Sequence, residues 1–169
     1  MKLSYEGSKD RAAWESSGVD VPRFDHAQMC LDTEAAPVWV HFGPGNIFRG
    51  FIAGIQHRLL DSGREKCGII AAVPTDKESI ELIFKPYDCM CMTVSLLPDG
   101  SIKKQAVASV AQALSTEAGS RDMDRLRQIF RKPSLQLLSF TITEKGYAIK
   151  DMHGEYLPAA KADMDNGPG

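Results

Sequence analysis

The sequence predicts an α/β fold, a partial doubly wound sheet with an inserted β-hairpin. Residues 38–42 (Val38, Trp39, Val40, His41, Phe42) form a short β-rich run that ends at a glycine, as a buried strand does. After Gly43-Pro44-Gly45-Asn46 the apolar residues Ile47, Phe51, Ile52, Ile55, Leu59 and Leu60 recur at a spacing near 3.6 and close at Gly63, a helix of about four turns. Residues 67–73 are an almost unbroken apolar run, expected of a parallel strand covered on both faces. Strand, helix and strand make a βαβ unit.

The other elements follow in chain order. Residues 1–36 are polar, with Gly18, Pro22 and Pro37 interrupting any long periodic pattern, and read as an irregular lead-in to a domain spanning 37–169. Pro74-Thr75-Asp76 is a helix start in which Thr75 or Asp76 accepts a free backbone N–H, and Ile80, Leu82, Ile83 and Phe84 supply apolar surface before Pro86 ends the helix. Residues 89–97 and 101–107 flank the turn Pro98-Asp99-Gly100 and predict an antiparallel hairpin beside the parallel sheet. Residues 121–131 carry Met123, Leu126, Ile129 and Phe130 at helical spacing, and Lys132-Pro133 stops that helix before a strand at 135–141. Glu144-Lys145-Gly146-Tyr147 is a turn, and the residues after it offer no element that would finish a domain.

Composition narrows the partners. A chain of 169 residues suits one domain with a proper core. Its 20 basic and 22 acidic residues are interspersed, which argues against a surface that tracks nucleic-acid phosphates. No apolar run approaches the roughly 20 residues that cross a bilayer, and the polar start has no signal-peptide core, so the cytoplasm is the expected compartment. Cys30, Cys67, Cys89 and Cys91 lack zinc-site spacing; they are expected to pack as small apolar groups, with no metal bound.

Chemistry shows at Gly43-Pro44-Gly45-Asn46-Ile47-Phe48-Arg49, between a strand and a helix. A pyrophosphate settles where a helix N-terminus presents unpaired N–H groups and glycines let the backbone come close. Gly43 and Gly45 fit that need, and Arg49 adds a cation at the first helical turn; Phe48 stands where a third glycine completes the usual fingerprint. The other reading is a glycine turn that only packs a helix on a sheet. Asp76, past the second strand, is placed either to accept from adenosine ribose hydroxyls or to cap the next helix. Lys77 and Arg64 are cations that would favour a 2′-phosphate or simply be solvated. Glu144, Lys145 and Tyr147 follow a strand whose C-terminal end faces the cofactor crevice, where they contact the nicotinamide half or form a charged turn. His41 is expected to be structural, and His26, His57 and His153 form no cluster.

The stretch Trp39-Val40-His41-Phe42-Gly43-Pro44-Gly45-Asn46-Ile47-Phe48-Arg49-Gly50 resembles the opening of the mannitol dehydrogenase family, the long-chain polyol dehydrogenases that include fructuronate and tagaturonate reductases. Phe140-Thr141-Ile142-Thr143-Glu144-Lys145-Gly146-Tyr147 is similar to that family's Thr-Glu-Lys-Gly-Tyr segment, and weaker likenesses at 21–25 and 85–88 extend the match over nearly the whole chain. The resemblance implies an N-terminal Rossmann-type domain that binds NAD, with NADP the alternative, in an enzyme interconverting a sugar alcohol or sugar acid and its keto form. It also implies a helical C-terminal domain carrying a Lys-x-x-x-x-Asn-x-x-His pattern. That pattern does not occur in this sequence, so no catalytic residue is assigned here and the catalytic region is expected beyond Gly169. An apolar sheet edge left without neighbours then favours self-association. The alternative function is a nucleotide-binding or subunit-interaction module without a reaction of its own.

Overall fold

The computed structural model describes residues 1–74, 78–142 and 144–167, with the backbone alone at residues 144 and 145. Helices α1 (Tyr5–Ser8) and α2 (Arg11–Ser16), strand β1 (Val19–Asp20) and helix α3 (His26–Ala35) precede strand β2 (Trp39–Phe42). Helix α4 (Ala53–Asp61) leads to β3 (Ile69–Val73), and the hairpin β4 (Cys91–Leu96) and β5 (Ile102–Val107) to β6 (Val110–Ser115). Helix α5 (Arg121–Phe130), strand β7 (Leu137–Phe140) and helix α6 (Pro158–Asn166) complete the order. Wider π-helical turns occupy Phe48–Ile52, just before α4, and Ile80–Phe84.

Four parallel strands make the main sheet, in the order β6-β3-β2-β7. The chain steps outward from β2 to β3 to β6, then crosses back through α5 to place β7 on the other side of β2. The crossover puts helices on both faces, so two layers of core form. On one face Phe48, Ala53, Ile69, Ala71, Phe84, Val107 and Val110 pack together; on the other Val40, Ile70, Ala72 and Leu114 meet Leu126 and Ile129 of α5. Strand β3 lies between them with all five residues buried, which is why it reads as a continuous apolar run.

The βαβ unit, the hairpin, α5 and the last strand match their sequence expectations to within a few residues at each end. Helix α4 closes at Gly63 (φ +70°), where the Gly63 amide donates to Leu60 O and the Arg64 amide to Leu59 O. Two expectations need correction, and one strand was missed. Residues 1–36 are not irregular: Ser4, Asp10 and Asp25 cap α1, α2 and α3, and the Trp14 indole donates to Gly7 O at 2.8 Å. Trp14, Val19 and Val21 form a further core with Met90, Ala106 and Ala108. The inward face of α3 is His26, Met29 and Thr33, too polar to register as a periodic apolar stripe.

The hairpin lies beside the parallel sheet, as expected, and β5 pairs with β1 in a separate sheet of order β1-β5-β4. Strand β6 was not anticipated, because Ala111, Gln112 and Ala113 dilute its β character. The end of the chain also forms the exposed helix α6, none of whose residues is buried. The helix start at Thr75 or Asp76 lies outside the described residues.

Gly68 sits where α3 meets the sheet: its amide donates to Thr33 Oγ1 at 2.7 Å, and an added Cβ would stand 2.6 Å from Ser109 O. Gly68→Ala is therefore expected to cost about 1–3 kcal/mol through overpacking, read from the urea-unfolding midpoint; an unchanged midpoint would show that α3 is not held at this point.

Candidate functional site

Strand β2 ends at Phe42 and the backbone turns sharply at Gly43, whose φ is +80°. An added Cβ there would lie 2.6 Å from Thr141 O, so glycine is required both for the dihedral and for the approach of the two strand ends. The Gly43 amide donates to Ala72 O at 3.1 Å, and the Gly45 amide to Gly43 O at 2.7 Å. Both glycine amides are thus spent on the protein, which corrects the expectation that Gly45 offers its N–H to a ligand. The helix begins at Asn46, and the Arg49 amide is the first to bond back, to Gly45 O at 3.0 Å. The amides of Asn46, Ile47 and Phe48 take no acceptor among the described residues, as the first turn of any helix leaves them.

The mouth of this helix stands at the carboxyl ends of β2 and β7, the point where the strand order reverses. A cleft of about 490 Å³ lies there, lined by Gly43, Gly45, Arg49, Val73, Thr141 and Ile142 among others. The Arg49 guanidinium donates to Asn46 Oδ1 at 2.6 Å, which keeps the cation beside the mouth of the helix. Phe48 offers no surface to a ligand, backbone included, which corrects its reading as a cofactor contact. Its side chain is completely buried and stacks on the His41 ring, centroids 4.2 Å apart, so the position of the expected third glycine is filled by core. Ile47 stays outside, 68% exposed, with only its amide suited to an anion.

The other candidates divide. Asp76 and Lys77 lie outside the described residues. Arg64 follows the C-terminus of α4, at the end of the sheet opposite the glycine turn, which leaves the solvated reading of this cation rather than the 2′-phosphate one. Glu144 and Lys145 fall in a 3₁₀ turn, Glu144–Tyr147, shortly after β7; their side chains are outside the described residues, and Tyr147 is largely exposed. The histidines do not cluster, as expected. Burial pushes the thiols of Cys89 and Cys91 up to about 12 and about 11, which leaves both protonated and suits apolar packing rather than nucleophilic or metal chemistry. Among the described residues no group of three potential ligands could hold a metal ion.

Two residues of this site escaped the sequence reading. Ser139 Oγ lies 2.8 Å from His41 Nδ1, and Thr141 Oγ1 lies 2.8 Å from His41 Nε2. Their signal was the alternation of hydroxyls at 139 and 141 along an otherwise apolar strand, which places both on the face of the neighbouring His41.

Burial pushes the His41 ring down to about 4 from an ordinary value of 6.5. Its ring nitrogens face hydroxyls, with no carboxylate to stabilise a charge. The neutral form belongs to the fold, so its contribution to stability is complete above 6.5 and is lost as pH falls toward 4. The full loss is about 3 kcal/mol at about 1.4 kcal/mol per tenfold. Burial also lowers His26 and His57, which act in the same direction. Urea midpoints measured from pH 7.5 to 4.5 should fall for the wild type and fall less for His41→Gln; parallel curves would remove His41 as a cause.

No protein-family model matches the chain. The chain is 48% identical to the D-mannonate oxidoreductase of Thermotoga maritima over 168 residues, 99% of this chain and 31% of that protein. It is 28% identical to the polyol:NADP oxidoreductase of Gluconobacter oxydans over 137 residues, 77% of this chain and 27% of that protein. The chain therefore spans less than a third of the length of these curated relatives. Among solved structures, the mannitol 2-dehydrogenase of Pseudomonas fluorescens, in a ternary complex with NAD and D-mannitol, shares the fold with a TM-score of 0.71. That likeness holds at 21% identity and covers 99% of this chain and 33% of that one.

Proposed function

Since this chain is an N-terminal-domain member of the mannitol dehydrogenase family, we propose that it is the nicotinamide-dinucleotide-binding part of an oxidoreductase acting on a sugar alcohol or sugar acid. One observation carries the reading: a helix mouth whose first amides have no protein acceptor stands beside a cleft at the reversal of a parallel sheet, with Gly43, Gly45 and Arg49 in the cleft wall. The residues fit a diphosphate. Gly43 removes the Cβ that would block the turn, nothing crowds a Cβ at Gly45, and Arg49 supplies positive charge.

In this assignment the amides of Asn46 and Ile47, with Arg49, hold the pyrophosphate. Asp76 is the candidate for the adenosine ribose, and Glu144 and Lys145 for the nicotinamide half. When bound, the dinucleotide supplies hydride transfer at its nicotinamide ring. The chain's own part is to bind and orient it; no Lys-x-x-x-x-Asn-x-x-His pattern is present to move the proton. NAD is the proposed cofactor, and the relative named for NADP keeps the phosphorylated form as the alternative. We take residues 37–169 as the dinucleotide-binding unit and 1–36 as a segment packed on it. Four free thiols suit a cytoplasmic setting. Self-association through β7 is supported by the exposure of Leu137, Leu138 and Phe140, each more than two-fifths open.

Titration with NADH, and separately NADPH, read through quenching of tryptophan fluorescence, tests the proposal. Saturable quenching is expected for the wild type, with affinity reduced at least about tenfold in Gly43→Ala, where the new Cβ collides with Thr141 O. Silence with both dinucleotides would leave the turn as a packing device and favour the interaction module.

A further inference from the structure

The turn is fixed by a chain of polar side chains whose protons have a single consistent arrangement. At one end the Trp39 indole, which can only donate, gives its N–H to Ser139 Oγ at 2.7 Å. The Ser139 hydroxyl proton is thereby free to go to His41 Nδ1 at 2.8 Å. At the other end Gly43 O, which can only accept, takes the Thr141 hydroxyl proton. Thr141 Oγ1 must then accept from His41, so the proton of the neutral ring sits on Nε2, 2.8 Å away. The Gly43 end demands this tautomer, and the Trp39 end accommodates it. A ring with its proton on Nδ1 would leave Nε2 without a donor, since the Thr141 hydroxyl proton is spent on Gly43 O, and would deprive the Ser139 hydroxyl proton of its acceptor at Nδ1.

The chain crosses between two adjacent strands at every step: Trp39 and His41 on β2, Ser139 on the edge strand β7, Thr141 just after it. It ends on the carbonyl that shapes the turn. With the Thr141 hydroxyl and the Gly45 amide both on it, Gly43 O is held by protein donors instead of being free to face an anion. The His41 ring also stacks on Phe48, whose amide is one of the three at the mouth of the helix, with planes 16° apart. One completely buried ring therefore touches both walls of the turn.

We propose that His41, held as the Nε2–H tautomer between Ser139 and Thr141, is a positioning residue for dinucleotide binding that keeps the Gly43 carbonyl turned away from the phosphate site. The proposal rests on the dinucleotide-binding reading above. His41 touches neither cofactor nor substrate; it acts through the carbonyl of Gly43 and the ring of Phe48.

The test combines histidine ¹⁵N chemical shifts with NADH titration of the full chain. The wild-type ring should show the neutral Nε2–H pattern at pH 7.5. Ser139→Ala, a change that lies outside the cleft, should release the ring to a mixture of tautomers and raise the NADH Kd at least threefold in protein still folded by circular dichroism. Thr141→Val should raise it about tenfold, and Thr141→Ser, which keeps the hydroxyl, should restore it to within about twofold. An Nδ1–H ring in the wild type overturns the proposal, whatever binds. So does wild-type affinity in Ser139→Ala and Thr141→Val. A wild type that binds neither NADH nor NADPH defeats the functional reading and the positioning role together, while an Nε2–H ring in that protein would show that the brace itself is real and that the reading of the ligand was at fault.

Discussion

The approach of the Gly43 backbone to the carbonyl of Thr141 governs much of this molecule. Because no side chain fits between them, the ends of β2 and β7 come close enough to hydrogen-bond, and the Thr141 amide reaches Phe42 O at 3.0 Å. That contact closes the sheet at the place where its strand order reverses, and the turn that follows delivers the first helical residues over the same spot. Position, open amides and positive charge thus arise from one steric requirement rather than from separate devices.

Polar groups do more inside this fold than its apolar pattern suggests. The doubly covered sheet accounts for two cores of ordinary aliphatic and aromatic packing, but its central strand also carries a buried imidazole. A second one, His57, joins α4 to the end of β5, where its Nδ1 accepts from the Ala108 amide at 3.2 Å and its ring meets the edge of Phe24. Burying such groups is costly unless they are bonded, and each here fixes a relation between elements that hydrophobic packing alone leaves loose.

Where the sequence carried a strong period or a turn residue, the architecture was legible. The run at 69–73, the Pro-Asp-Gly hairpin and the spacing of Leu126 and Ile129 each depend on local pattern, and local pattern survives in one dimension. Strand β6 and the opening helices depend on partners instead. Gln112 and Ala113 become strand residues because β3 offers them a ladder, and Trp14 becomes core because β5 brings Ala106 against it. The glycine turn was legible as a site, but its detail was not: which amides stay open is decided by the bond from Gly45 to Gly43 O, and the role of Phe48 by a ring on the neighbouring strand. Ser139 and Thr141 were visible only as an alternation whose meaning needed the opposite strand.

The π-helical turns at Phe48–Ile52 and Ile80–Phe84 flank the same crevice, and Arg49 and Ile83 within them line its walls. In each, the bonding partner lies five residues back, so the turn holds one residue more than an α-helix over the same path. Such a turn stores one residue of chain length: removing it would leave an ordinary α-helical turn with the downstream helix still in phase with the sheet. Sequence comparisons that forbid gaps inside helices would misalign this pair of segments, placing Phe48 or Phe84 against a solvent-facing neighbour and hiding the two aromatic anchors that share one core.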